Sequence, residues 1–368
     1  KIILLVIALL CTCSMFTSCG KDELGESEQP IVSLTAVDYT TDGYFDGVLY
    51  YQILSNMDNT VEITKGSNNA SVVKIPEYVK INGTKYAVTS IRSKAFYEYE
   101  NLNSVVFSNN ISSIGNEAFT HCSHLASLVF GKNTPSIGYH AFYGLQISRL
   151  EFADMKSLGE IMCQSILGES GSSGTLFIKE KEVHEITIPN SVTCIDDWAF
   201  SYCIGLTSIT ISNSVTRIGN GAFSDCTGLT SITIPSSVTS IGNGAFYDCT
   251  GLTSITIPSS VTSIGNGAFK DCTGLKKIIV PDIAAWCKIE FEFRRSENNY
   301  NYSNPLYWAS HIFSDETTEI TNLEIPNSVT SINDYAFHGC AGLTSGSAIG
   351  NSQGDTPDGS PISEGSGS

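Results

Sequence analysis

Residues 207–229 read TSITISNSVTRIGNGAFSDCTGL, residues 230–252 read TSITIPSSVTSIGNGAFYDCTGL and residues 253–275 read TSITIPSSVTSIGNGAFKDCTGL. Cys203, Cys226, Cys249 and Cys272 mark the period at 23 residues. Working outward, the dipeptide Ala-Phe keeps the same frame, ending at Phe96, Phe119, Phe142, Phe200, Phe223, Phe246, Phe269 and Phe337. Its gaps are 23, 23, 58, 23, 23, 23 and 68 residues. The two long gaps hide degraded or enlarged units, with Leu150-Glu151-Phe152 and Ile278-Ile279-Val280 in the strand position. Strand positions Ile75, Phe107, Phe130, Phe152, Ile188, Ile211, Ile234, Ile257, Val280 and Ile325 then make ten rungs. The first interval exceeds the period by nine residues, and the surplus falls around Asn82-Gly83, a hairpin turn signal.

Each unit has a physical reading. Leu206, Ile209 and Ile211 point inward while Ser208 and Thr210 point out, the two-residue alternation of a half-buried strand. Pro235 and Pro258 end that strand, where a missing N–H does little harm. Val238 and Ile241 form a second inward segment, Gly242-Asn243-Gly244 turns the chain, and Ala245-Phe246 opens a short helical turn closed by Cys249. The eight apolar side chains of a unit would each gain about 1.5–3 kcal/mol if fully buried. One unit cannot bury them alone, so its neighbours must cover both faces. The repeat therefore predicts a β-rich parallel solenoid with one continuous core and a strand face roughly 45 Å long.

Leu-x-x-Ile-x-Ile-Pro, Val-x-x-Ile-Gly and Ala-Phe-x-x-Cys-x-x-Leu together resemble the BspA-like class of leucine-rich repeat, over residues 72–343. The stretch from Val280 through Trp286-Cys287 to Asn304-Pro305-Leu306-Tyr307-Trp308 is similar to an elaborated coil of that family. The resemblance implies a right-handed superhelix and a secreted or surface protein that adheres to host matrix or other cells.

The sequence holds 20 basic and 37 acidic residues, a net charge of −17, which argues against nucleic acid and against docking on an anionic membrane by charge. Of the 12 cysteines, Cys122, Cys203, Cys226, Cys249, Cys272 and Cys340 share one place in the repeat. Parallel stacking aims their Cβ vectors the same way, so buried thiols are expected rather than disulfides. Cys163, Cys194 and Cys287 fall outside that column.

Lys1 and the apolar run Ile2–Leu10 are too short to span a bilayer and read as a secretory signal over residues 1–18. Phe16-Thr17-Ser18-Cys19 resembles a bacterial lipobox, with Phe16 in place of the usual Leu, which marks Cys19 for lipidation. Lys21, Asp22 and Glu23 resemble the signal that sends Bacteroides-group lipoproteins to the outer face of the outer membrane. Residues 19–30 read as a flexible tether. Residues 31–71 lack the repeat; Asp42-Gly43 and Asp46-Gly47 among Tyr, Val and Leu suggest a β-hairpin cap on the first open core face.

Two inserts are expected, 153–183 and 283–320. The second carries Trp286, Phe291, Phe293, Tyr300, Tyr302, Tyr307, Trp308 and Phe313. Aromatic side chains concentrate at binding hot spots, so Trp286, Tyr307 and Trp308 are candidate contacts, against the plainer reading that they pack the larger coil. After Leu343 the strand sequence does not recur, and residues 344–368 have a disordered composition. The last rung would then present a bare edge, and the expectation is a record truncated or frame-disrupted near residue 344.

No recurring chemistry emerges. Gly350-Asn351-Ser352-Gln353-Gly354 matches a nucleophile elbow but lacks the strand and helix it needs. His121-Cys122-Ser123-His124 has metal-ligand residues whose directions should diverge around an inward Cys122. No metal, cofactor or catalytic residue is expected. The outward strand residues Ser208, Thr210, Ser231, Thr233, Ser254 and Thr256 form hydroxyl rows suited to a glycan or a protein strand edge. The expectation is a lipid-anchored, surface-exposed binding protein whose partner is a host or bacterial surface protein or glycan. The alternatives are a glycan-binding module and an envelope scaffold without a host ligand.

Overall fold

The computed structural model describes residues 31–162, 175–292 and 303–343, together with the backbone of Ser345–Ser347. Cys19, the charged residues Lys21, Asp22 and Glu23, Cys163, and the Gly350–Gly354 motif lie outside the described residues.

The chain forms a β-solenoid of about ten turns. In the central coils, Ser208–Thr210 pairs in parallel with Glu185–Thr187 and with Ser231–Thr233, Ile209 standing opposite Ile186 and Ile232. A second row runs through Cys194–Ile195, Arg217–Ile218, Ser240–Ile241, Ser263–Ile264 and Glu290–Phe291, all parallel. The alternation fixes this register, because a slip of one residue would turn Ile209 and Ile211 to solvent; both are buried.

The short turn after each second strand takes a form the sequence did not suggest. Each coil that carries the Ala-Phe pair places two residues four apart in the left-handed region, as at Trp198 and Tyr202, Gly221 and Asp225, Gly244 and Asp248, and Gly267 and Asp271. These breaks rotate alternate N–H groups along the solenoid axis. The amides of Gly244, Phe246 and Asp248 therefore donate to the carbonyls of Asn266, Ala268 and Lys270 in the next coil. The turn thus adds a third strip of hydrogen bonds between coils in place of a continuous helix.

Inside, the Phe rings stack one per coil. Phe200, Phe223, Phe246 and Phe269 lie 5.4, 5.4 and 5.2 Å apart with interplanar angles of 13°, 13° and 12°. Phe96, Phe119 and Phe142 repeat the pattern nearer the N-terminus at 4.8 and 5.4 Å. The column cysteines beside them are unbridged. Their thiols donate to a Phe carbonyl of the preceding coil, Cys226 to Phe200, Cys249 to Phe223 and Cys272 to Phe246, each at 3.0 Å. Burial pushes the Cys203 and Cys272 thiols up to about 12, so they remain neutral.

Both inserts also contribute strands to the first row. After helix Met155–Met162, whose Leu158, Ile161 and Met162 are buried, Thr175–Ile178 pairs in parallel with Arg149–Phe152. Ile312–Phe313 likewise pairs in parallel with Lys277–Ile279. Neither segment is followed by Ala-Phe, so the repeat frame passes over them. The first strand row is also divided, ending at Ser231–Thr233 and resuming at Ser254–Thr256. That division is local, because the second row and the Phe column continue across it.

At the N-terminal end the sheet is larger than a hairpin. Its strands follow the spatial order Val32–Leu34, Tyr78–Ile81, Thr84–Ile91, Thr60–Gly66, Leu49–Ser55, Gly43–Phe45 and Tyr39–Thr40. Asn82 and Gly83 both have positive φ in the two-residue turn joining Tyr78–Ile81 to Thr84–Ile91. Ile91 then pairs with Ile114, which ties this sheet to the second strand row. At the other end, Ser345–Ser347 pairs in parallel with Asn322–Glu324. The rung expected to be bare is therefore covered, and part of the segment read as disordered is a strand.

Candidate functional site

The strand face presents the predicted hydroxyls in register, Ser208 beside Ser231 and Thr210 beside Thr233. Ser254 and Thr256 instead stand beside Lys277 and Ile279, so the six residues form two groups. Neighbouring hydroxyls serve the scaffold. Thr230 Oγ1 donates to the Thr207 carbonyl at 3.1 Å, and Ser214 and Ser237 donate to Val192 and Val215 at 2.7 Å. Thr210 and Thr233 are exposed and make no such bond. In the central coils the strand face is accordingly polar and sparsely charged.

The insert aromatics separate into different roles. Trp286 is buried at 1 % exposure, and its indole N–H donates to the Ala336 carbonyl at 2.8 Å. It joins the elaborated coil to the next one, and no partner reaches its ring. This corrects its reading as a contact residue: a count of aromatic residues does not reveal which of them face inward. Phe291 is buried as well, and Trp308 packs partly against the core. Tyr307 is half-buried, with its ring parallel to His338 at 6.2 Å. Phe293, Tyr300 and Tyr302 lie outside the described residues. In the His121–His124 stretch, Cys122 is buried against the Phe96 carbonyl while both histidines are exposed. Among the described residues no three His, Cys, Asp or Glu side chains converge on a metal position.

The concentrated chemistry lies on the turn face, which the sequence reading treated as turns. Near the N-terminus the rings of Tyr139, His140 and Tyr143 stack at 3.7 and 4.7 Å, with Tyr139 70 % exposed. In the central coils an open groove of about 580 Å³ is lined by Trp198, Tyr202, Asn220, Asp225, Asn243 and Tyr247, with Asp197 at its head.

The groove is built from the repeat. Asp197 accepts hydrogen bonds from the Asn220 backbone N–H at 2.8 Å and from its Nδ2 at 2.9 Å. Asn220 Oδ1 accepts the Asn243 N–H at 2.8 Å, and Asn243 Oδ1 the Asn266 N–H at 2.6 Å. This column fixes the floor of the groove. Burial alone would raise the Asp197 carboxyl, but the bonds from Asn220 and Arg217 outweigh it and hold it below its ordinary value. Trp198 sits at φ +63°, where the following coils have glycine, and its indole lies across Gly221. Any Cβ at Gly221 would collide with that ring. A left-handed L-residue costs about 1–2 kcal/mol, and the fold imposes the conformation on the aromatic pair Trp198 and Tyr202 alike.

Electrostatically the groove is acidic. Asp225, Asp248 and Asp271 occupy one position in successive coils. Burial and then the charges of Asp225 and Asp271 raise the Asp248 carboxyl, and burial followed by Asp225 and Asp248 raises the Tyr202 phenol. Lys270 extends over the Tyr247 ring, its Nζ 5.3 Å from the centroid. The signal for this site was present in the sequence: IDDWAFSYC at 195–203 against IGNGAFSDC at 218–226 places Trp198 on a glycine position and Tyr202 on an aspartate position.

Residues 85–165, 173–292 and 308–350 match the family model described as the BspA type leucine rich repeat region, in six copies. Among solved structures, the chain is similar to a leucine rich cell surface protein from Faecalibacterium prausnitzii, with 25 % identity, 82 % of this chain and 72 % of that one covered, and a TM-score of 0.40. A leucine-rich repeat protein from Bacteroides ovatus gives 21 % identity, coverage of 82 % and 88 %, and a TM-score of 0.42. The pneumococcal vaccine antigen PcpA gives 14 % identity, coverage of 64 % and 80 %, and a TM-score of 0.36. No curated protein matches the chain.

Proposed function

The chain belongs to the BspA-type leucine-rich repeat family, and on that premise we propose that it is a non-catalytic binding scaffold displayed at the cell surface. It is anchored through a lipid on Cys19, directed to the outer face of the outer membrane by Lys21, Asp22 and Glu23, and adheres to host matrix or to other cells through protein–protein contacts. The observation that carries this reading is a comparison of two coils. Residues 230–252 and 253–275 are identical except at one position, Tyr247 in the first and Lys270 in the second. That position lies on the turn face, so the scaffold is copied while an outward side chain changes.

Cys19→Ala tests the anchor: the variant should move from the membrane fraction to the medium or the soluble fraction. Protease treatment of intact cells tests display, since a protein facing the periplasm would survive it. Retention of Cys19→Ala in the membrane, or full protection from protease, would overturn the anchored and exposed reading respectively.

A further inference from the structure

The turn-face groove combines three observations. Its walls are aromatic, formed by Trp198, Tyr202 and Tyr247. Its rim is anionic, with Asp225 lining it and Asp248 and Asp271 continuing the same column. None of its described lining residues is basic. The guanidinium of Arg217 is engaged by Asp197 at 3.2 Å. A neighbouring lysine, Lys270, already displays the contact in question, an ammonium over the face of Tyr247.

We propose that the groove bounded by Trp198, Tyr202 and Tyr247 receives a cationic side chain, lysine or arginine, from a protein partner. An aromatic face attracts a cation through its quadrupole, and the attraction grows where the site is partly dry. The carboxylates at the rim supply the opposing charge. They stand one coil apart and repel one another, which adds to burial in raising the Asp248 carboxyl, and an inserted ammonium or guanidinium relieves that repulsion. The floor is pre-set by the Asp197–Asn220–Asn243–Asn266 column and the Trp198 indole is held on Gly221, so little ordering is needed on binding. The inference rests on the reading of the protein as a binding scaffold and names the chemistry of the partner.

The test is calorimetric titration of the full chain with octalysine and with its fully Nζ-acetylated form. Octalysine should bind and the acetylated peptide should be weaker by about tenfold or more, with octalysine affinity falling steeply between low and high salt. Two variants localise the effect. Tyr247→Lys makes its coil identical to residues 253–275, so the fold accepts it, and it places a competing ammonium in the groove. Asp225→Asn removes rim charge while keeping a residue tolerant of positive φ. Each should weaken octalysine by about threefold or more, whereas Glu185→Gln on the strand face should leave it within about twofold.

Equal binding of the acetylated peptide would overturn the proposal. So would an equal loss in Glu185→Gln, which would mean diffuse attraction to an acidic chain, or a neutral oligosaccharide that needs Tyr247 while octalysine fails to bind. Matrix proteins distinguish the two levels. If the wild type binds them and Tyr247→Lys with Asp225→Asn binds equally well, the groove assignment falls and the scaffold reading stands; if the wild type binds none, the scaffold reading itself fails.

Discussion

The strand face and the turn face of the central coils come from the same 23 residues, yet they are built on opposite terms. On the strand face, Ser-Ile-Thr recurs unchanged at 208–210, 231–233 and 254–256. Neighbouring hydroxyls there bond the carbonyls of the preceding coil. On the turn face, the corresponding coils carry Ser224, Tyr247 and Lys270 at one position, and the left-handed positions accept Trp, Tyr, Asp or Gly. An extended strand lets any side chain follow a period of two, so its outward residues drift toward whatever suits a sheet. The turn face satisfies its backbone through the third strip of inter-coil bonds. Its side chains are left to differ, and the differences gather beside one groove. Repetition marks the scaffold, and departures from it mark the surface worth testing.

Both faces depend on one interior, and this is where the largest effect is expected. Phe246→Ala removes a ring stacked between Phe223 and Phe269 and buried at 0 % exposure. It should cost about 3–5 kcal/mol, read by denaturant unfolding. Hydrogen exchange should show protection lost together at Ser231–Thr233 and at Gly244–Asp248. If the turn face loosened while the strand face kept its protection, the two faces would be independent units and the contrast between them would lose its basis.

The glycines of the turn face sharpen the comparison within a single face. Gly221 and Gly244 have φ of 57° and 58°, so an Ala at either site meets the same left-handed penalty, about 1 kcal/mol. Their surroundings differ. A Cβ at Gly244 meets only the Tyr247 Cβ, 3.7 Å away, while one at Gly221 collides with the Trp198 indole. Gly221→Ala should therefore cost about 2 kcal/mol in total and shift the Trp fluorescence, whereas Gly244→Ala should cost about half as much and leave the emission in place. Equal costs with unchanged emission in both would show that the indole does not rest on Gly221, and the groove would lose its wall.

How much of this was legible follows from what a repeat can and cannot encode. Period, strand alternation and the inward Phe and Cys positions are properties of one coil multiplied, and they follow directly from residues 207–275. The rungs Thr175–Ile178 and Ile312–Phe313 were passed over because they lack the Ala-Phe mark. The left-handed pairs were hidden because Asn-Gly explains them in three coils, while Lys94 and Glu98 or His140 and Gly144 show no common residue type. Trp286 was misplaced because its burial depends on Ala336, 50 residues on. The groove was missed for a related reason: Trp198, Asp225 and Tyr247 meet only after coils one and two periods apart are stacked.

The smallest expected effect returns to the strand face. Thr233 is exposed and its hydroxyl bonds nothing among the described residues, while Thr230, three residues earlier, donates to Thr207 at 3.1 Å. Thr233→Val exchanges one β-branched residue for another on an open sheet surface, so stability should change by less than about 0.5 kcal/mol. Thr230→Val breaks a hydrogen bond to a carbonyl that already accepts backbone amides of the next coil, so its cost should stay within about 0.5–1 kcal/mol. Octalysine affinity should be untouched by both changes, because neither lies near the turn-face groove. Partner binding that disappears in Thr233→Val while its stability holds would move the functional surface to the hydroxyl rows, and the turn face would be only the third strip of the scaffold.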